Sequence, residues 1–301
     1  MEYKLFIENL HKELQNKLNM CKDILCEKEL KYRKDKLKDA YFDSVAKNEA
    51  SDVFYSLVHQ IKTMFFLKNI GKVKISMDSK GEPGPDFTYL DRYRIECVNC
   101  TPGTDENLEK YFDDLKKYNV RVNDYNERFR RIALRFTTAI KEKKDKYEKY
   151  LRDGHIKNDE PYGIFLSIGR LRYGFFPGDL GNQFTRILVG RGYKQIQVDS
   201  NGKQVGQASF GFIPFIKNNN DSSVDTNIFS NSEYRGISTV IVTWAYIDED
   251  YNSSNTVIFL NPLSKNKIKI RDFWKLPYWK INDKFNYIPR IKGKEQKINM
   301  W

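Results

Sequence analysis

The stretch GPDFTYLDRYRIECVNC, residues 84–100, decides how this chain folds. Two alternating runs, 86–90 and 93–100, meet at Leu90-Asp91-Arg92, and that spacing predicts a β-hairpin. With a three-residue loop, facing residues sum to 182 in number, so Asp86 stands opposite Glu96. One face of the hairpin then carries Phe87, Tyr89, Tyr93, Ile95 and Cys97, a core-forming set. The register that buries those residues also brings two carboxylates onto the other face, with Cβ atoms about 4.5–5.5 Å apart. Like charges so placed are destabilising and call for a cation. A hard divalent ion such as Mg²⁺ suits carboxylate oxygens and keeps waters for chemistry. The alternative is a solvated face on which the acids pair with Arg94 and nearby lysines.

Upstream, Phe54, Leu57, Val58, Ile61 and Phe65 form one stripe of a helix over 47–68, closed by Asn69 and Gly71. A strand over 72–77 follows, then turn chemistry at 79–84. Further upstream, Phe6, Leu10, Leu14, Leu18, Cys21 and Leu25 recur every three or four residues, which predicts an amphipathic helix.

Downstream, 101–127 is polar and reads as loop with a short helix. Residues 130–136 read as a strand, and Thr137 and Thr138 as caps for a helix over 139–152 that Gly154 stops. The apolar run PYGIFLSIG, 161–169, suits a buried strand. Asn201-Gly202 marks a hairpin over 195–205, and 237–247 and 256–260 read as strands beyond a polar loop at 216–232. FFPG, 175–178, and NPLSKNKI, 261–268, read as turns joining strands. The expected organisation is an N-terminal helical segment (1–45), an α/β core (46–170) and a β-rich C-terminal extension (171–301).

The chain has 301 residues and a formal charge of +12, with 52 Lys plus Arg against 40 Asp plus Glu. Such a balance favours a polyanionic partner, although a lysine-rich composition alone also produces it. No run of about 18 apolar residues predicts a membrane span. The first residues lack the apolar stretch of a secretion signal, so the cytoplasm is the expected location. Cys21 and Cys26 lie about 140° apart on a helix, and Cys97 and Cys100 fall on opposite strand faces, which suits ordinary reduced thiols better than a zinc site. His11, His59 and His155 do not cluster in sequence.

GPDF followed ten residues later by IECV, after a helix bearing Glu49 and before a further helix and a buried strand, resembles the PD-(D/E)XK nuclease superfamily with its restriction-endonuclease-like αβββαβ core. More narrowly, RFTTAIKEKKDKYEKYLRDG leading into PYGIFLSIG resembles bacterial members in which an IEAV-like strand replaces E-x-K and a lysine-bearing helix follows. This chain reads E-x-V: Val98 stands where the lysine usually does. The resemblance implies a metal-dependent nuclease that hydrolyses phosphodiester bonds, in DNA, with Mg²⁺ or Mn²⁺ as cofactor. Asp86 and Glu96 would be the metal-holding catalytic acids, aided by an Ile95 or Cys97 carbonyl. Glu49 would be a third oxygen ligand, with Asp52 as its competitor. Lys143, near the helical stripe of Ile140, Tyr147 and Leu151, is the candidate replacement for the missing lysine; a charged helix could equally leave it in solvent. Arg130, Arg131, Arg135, Lys141 and Lys144 would neutralise backbone phosphates. The expected partners are nucleic acid, DNA first, and a second copy of the chain, with no membrane. Two alternatives stay open: a nuclease fold that binds nucleic acid or protein without catalysis, for which Val98 speaks, and an interaction protein whose N-terminal helices take a partner.

Overall fold

A computed structural model describes residues 2–47, 49–75, 84–101, 124–174, 180–206, 209–218, 220–273, 276–281, 287–291 and 294–295. It begins with three helices, α1 (Glu2–Met20), α2 (Glu27–Lys47) and α3 (Asp52–Ile70). Ile7, Leu10, Leu14 and Leu18 make the α1 stripe and are fully or almost fully buried, whereas Phe6 is exposed. The stripe therefore packs within the protein. Ser51 caps α3, its Oγ accepting from the Phe54 N–H at 3.2 Å. The predicted 47–68 helix is thus α3, starting five residues later.

Strands β1 (Val73–Ile75), β2 (Phe87–Tyr89) and β3 (Tyr93–Asn99) follow. Next come helix α4 (Asp124–Arg152) and strand β4 (Tyr162–Ser167). Helix α5 (Leu180–Val189) leads into two small hairpins, β5 (Arg191–Gln195) with β6 (Ser209–Phe212) and β7 (Phe215–Lys217) with β8 (Ser223–Asp225). Strands β9 (Ile237–Thr243), β10 (Thr256–Leu260), β11 (Tyr278–Ile281), β12 (Tyr287–Ile291) and β13 (Lys294–Glu295) complete the chain.

The main sheet is mixed and runs β1-β2-β3-β4-β9-β10-β11-β12-β13. β4 lies parallel to β3 on one side and to β9 on the other, and every residue of β4 and β9 is buried. Such unbroken burial belongs to strands covered on both faces. One face carries Ile164, Leu166, Val240 and Val242 against α4 and α5. The other carries Ile95, Phe165, Ile241 and Ile258 against α1, α2 and α3. The result is a three-layer α/β arrangement, and the β-rich C-terminal part continues the same sheet.

Two expectations need correction. Residues 130–136 are helical, forming the first half of α4 rather than a strand, because Phe129, Ile132, Ala133, Phe136 and Ile140 keep one helical stripe and are all buried. Thr137 and Thr138 cap nothing. Thr137 sits inside the helix, its Oγ1 donating to the Ala133 carbonyl at 2.8 Å, a back-bond that lets a hydroxyl stay mid-helix. The polar stretch 216–232 also holds β7, β8 and two short 3₁₀ turns. The Asn201-Gly202 turn is present, with Gly202 at φ 78° and a Val198–Gln204 bridge closing it. The FFPG stretch lies outside the described residues.

Candidate active site

The hairpin has the expected register: Phe87 faces Ile95, Thr88 faces Arg94 and Tyr89 faces Tyr93. Its turn takes an unusual path, since Leu90 (φ 51°) and Asp91 (φ 57°) are both left-handed. Tyr89 accepts from the Arg92 N–H at 3.3 Å, and the Leu90 N–H donates to Lys72 at 2.7 Å. Salt bridges from Lys72 and Lys74 to Asp91, at 2.8 and 2.6 Å, tie the turn to β1. On the apolar face Phe87, Tyr89, Tyr93, Ile95 and Cys97 are all buried.

Asp86 lies one residue before β2 and, by continuation of the register, opposite Glu96 in β3. Both acids are buried, with 6% and 2% of their surface exposed, because α4 covers this face. A solvated acidic face is therefore excluded. The Cys97 N–H donates to Asp86 Oδ2 at 2.6 Å, and Gln60 of α3 approaches Asp86 Oδ1 at 3.4 Å. Glu96 Oε1 accepts from Lys143 Nζ at 2.7 Å and from Lys146 Nζ at 3.2 Å. Glu96 Oε2 is buried and has no hydrogen-bond partner. Orphaned buried carboxylate oxygens are costly and usually signal a ligand or water.

Electrostatics follow from this geometry. Burial, and then the charge of Glu96, push the Asp86 carboxyl up from 3.8 to about 6; the Cys97 N–H and the two lysines only partly oppose this. Burial works against the charge on Lys143, but the Glu96 carboxylate more than offsets it and holds the ammonium above its ordinary value. Tyr162 stands behind the pair, its hydroxyl donating to the Lys143 carbonyl at 3.4 Å, with the Tyr147 ring 4.9 Å from its own.

Asp86, Glu96 and Lys143 are thus brought together from the hairpin and from α4. Val98 packs against the core between β3 and α4. It shares the face of Glu96, so the cation that E-x-K would supply from the strand comes here from the helix. Lys146, one turn beyond Lys143, and Gln60 were not among the expected site residues. The i, i+3 spacing of Lys143 and Lys146 carried the first signal, and nothing local pointed to Gln60.

Glu49 is not brought to the pair. It is exposed in the link between α2 and α3, ahead of the Ser51 cap, because α3 starts at Asp52 rather than at 47; its charge acts on Tyr3 instead. Asp52 is exposed and pairs with Arg170. The five basic residues assigned to phosphate contact spread along about 20 Å of α4 rather than converging on the acids. Lys144 pairs with Glu148 at 2.9 Å, Lys141 is exposed, Arg131 and Arg135 are half-buried, and Arg130 donates to the Lys217 carbonyl at 3.0 Å.

On the sheet's other face His59 is enclosed. Its Nδ1 lies 2.7 Å from the Tyr251 hydroxyl and its Nε2 2.9 Å from the Phe165 carbonyl. Burial pulls its pKa down to about 4, so it is neutral near pH 7, with Nε2–H donating to Phe165 and Nδ1 accepting from Tyr251. The four cysteines are free thiols. Among the described residues, no three His, Cys, Asp or Glu side chains converge as a metal-binding group, and no helix is long and apolar enough to cross a membrane.

No family model, curated protein or solved structure matches this chain.

Proposed function

We propose that this protein is a metal-dependent nuclease that hydrolyses phosphodiester bonds in DNA, with Asp86, Glu96 and Lys143 at its centre. The observation that carries this reading is the buried Asp86–Glu96 pair, with Glu96 Oε2 unpartnered and Lys143 alongside. The order α3-β1-β2-β3-α4-β4, with β4 parallel to β3, also agrees with the αβββαβ core that the GPDF and IECV motifs suggested. The formal charge of +12 suits a polyanionic substrate.

The donor set fits a hard divalent cation. Two carboxylates forced together by the register, one with an orphaned oxygen and the other made reluctant to ionise, are what such an ion relieves. Asp86 and Glu96 would hold Mg²⁺ or Mn²⁺; with only two protein carboxylates, water and substrate oxygens would complete its shell. Bound there, the ion would polarise the scissile phosphate and lower the pKa of a water.

The chain's own groups do the rest. The Cys97 N–H fixes the Asp86 carboxylate, and the Lys143 ammonium fixes Glu96. Because Lys143 stays protonated, it offers Nζ–H to charge developing on a phosphoryl oxygen and does not act as the base. Lys146, more exposed, extends that positive edge toward solvent.

A second reading is a nucleic-acid-binding module without catalysis. It is favoured by the two lysines on Glu96, which balance the pair's two negative charges without any metal. Cleavage of supercoiled plasmid and single-stranded DNA with Mg²⁺ or Mn²⁺ separates the two. Wild type should cut, and EDTA, Asp86→Ala and Glu96→Ala should each abolish cutting. DNA binding without cleavage in all three proteins would favour the second reading.

A further inference from the structure

Helices α2 and α3 fold back on each other where the Ser51 N–H donates to Ser44 Oγ at 3.1 Å, and a cavity of about 390 Å³ lies between them. That volume is within the range of small-molecule sites, about 300–1,000 Å³. Because the two helices run in opposite directions, Lys36 lies toward the link that joins them, and Glu29 and Gln60 lie at the far end. Gln60 is shared with the candidate active site, its Nε2 donating to Asp86 Oδ1 at 3.4 Å. The cavity therefore begins one side chain away from the acid pair.

Its wall holds a buried charge that is only half answered. Glu29 is 5% exposed, and its Oε1 accepts from Arg33 Nε at 2.7 Å. Glu29 Oε2 is buried and has no hydrogen-bond partner. A buried ion pair recovers its desolvation cost only where the remaining lone pairs are also bonded, so this oxygen calls for an N–H or O–H donor. A carboxylate repels phosphate, so the group that answers it is not the backbone of a nucleic-acid strand. Half-buried Leu57 adds an apolar wall, and exposed Tyr32 adds an aromatic ring with Lys36 Nζ 5.7 Å from its centroid. An acceptor, an apolar wall and an open ring suit a flat heterocycle that carries an amino group.

We propose that this cavity takes one unpaired nucleobase bearing an exocyclic amino group, from the DNA strand whose phosphate lies at Asp86 and Glu96. The amino group of adenine, cytosine or guanine donates to Glu29 Oε2. The ring stacks on Tyr32 and rests on Leu57, while Lys36 meets an adjoining phosphate. Thymine has no amino group, and its N3–H stands between two carbonyl oxygens that a carboxylate repels. The site thus discriminates against thymine in single-stranded or opened DNA. The inference rests on the nuclease reading for the position of the strand.

Fluorescence anisotropy of the full chain in EDTA, with labelled single-stranded dA8, dC8 and dT8 as probes, tests it. Wild type should bind dA8 or dC8 about tenfold more tightly than dT8. In Glu29→Gln the amide oxygen takes over the Arg33 bond, which turns the amide nitrogen, a donor, to where Oε2 stood. That variant should lose the preference and bind dT8, with its carbonyl acceptors, at least as well as dA8 and dC8. Tyr32→Ala, at an exposed position, should weaken dA8 and dC8 about tenfold with folding intact by circular dichroism. Equal binding of the three strands by wild type, no binding to any, a preference that survives Glu29→Gln, or indifference to Tyr32→Ala would each overturn the assignment. No strand is cut in EDTA, so the two readings fail separately. A protein that cleaves DNA without this preference refutes the base site alone, and one that shows the preference but never cleaves refutes catalysis alone.

Discussion

Replacing Asp86 by Asn removes one charge from the carboxylate pair while keeping an oxygen that can accept the Cys97 N–H. In the metal-free protein, burial and Glu96 raise the Asp86 carboxyl from 3.8 to about 6. A carboxyl that binds its proton more tightly when folded stabilises the fold below pH 3.8, and that contribution is lost as pH rises to and through about 6. At about 1.4 kcal/mol per pH unit, the loss amounts to about 3 kcal/mol, complete by neutral pH. Asp86→Asn should therefore gain about 3 kcal/mol relative to wild type between pH 4 and pH 7. His59 acts in the opposite sense: held neutral down to about pH 4, it costs stability as pH falls from 6.5, and it does so equally in both proteins. The difference between the two curves thus isolates Asp86. Urea denaturation followed by circular dichroism in EDTA, at half-unit steps of pH, measures it. Millimolar Mg²⁺ should then stabilise wild type at pH 7 and leave the variant largely unchanged. A pH-independent difference, or a variant less stable than wild type at pH 7 than at pH 4, would refute the account of two acids held together without their cation.

Four further outcomes follow from contacts in the structure. Lys143→Met strips Glu96 of its buried partner and should lower stability by about 3 kcal/mol in urea and cleavage by about a hundredfold. Lys146→Met, at an exposed position, should cost less than about 1 kcal/mol. Tyr251→Phe removes the hydroxyl that serves His59 Nδ1 and should cost about 1–3 kcal/mol, read as a lower urea midpoint. Gly169→Ala would place a methyl 2.2 Å from the Ala245 carbonyl oxygen, a fixed backbone atom, so thermal unfolding should show a loss of about 3 kcal/mol.

The hairpin was legible because alternation and loop length constrain each other: only one register buries Tyr89, Tyr93 and Ile95 together, and that register sets Asp86 against Glu96. Lys143 was legible from helical phase even though the start of its helix was misplaced. Thr137-Thr138 misled because threonine favours caps, and only tertiary burial of Phe136 and Ile140 reveals a helix running through it. Glu49 was misplaced for the complementary reason, since the true cap, Ser51, lies two residues beyond it. The union of β9 and β10 with β4 is a long-range pairing that no local pattern encodes.

The parallel pairing of β3 with β4 gives the site a history during folding. Asp86, Glu96 and the Cys97 N–H come from one hairpin, a structure that closes in about 1–10 μs. Lys143 and Lys146 enter 47 and 50 residues after Glu96, only once α4 docks and the longer loop to β4 closes. The acids therefore meet while still in water, where their repulsion is weak, and lose that water when α4 covers them. The electrostatic penalty is therefore set by the docking of α4 and not by closure of the hairpin, so a bound cation relieves it only where that helix is in place.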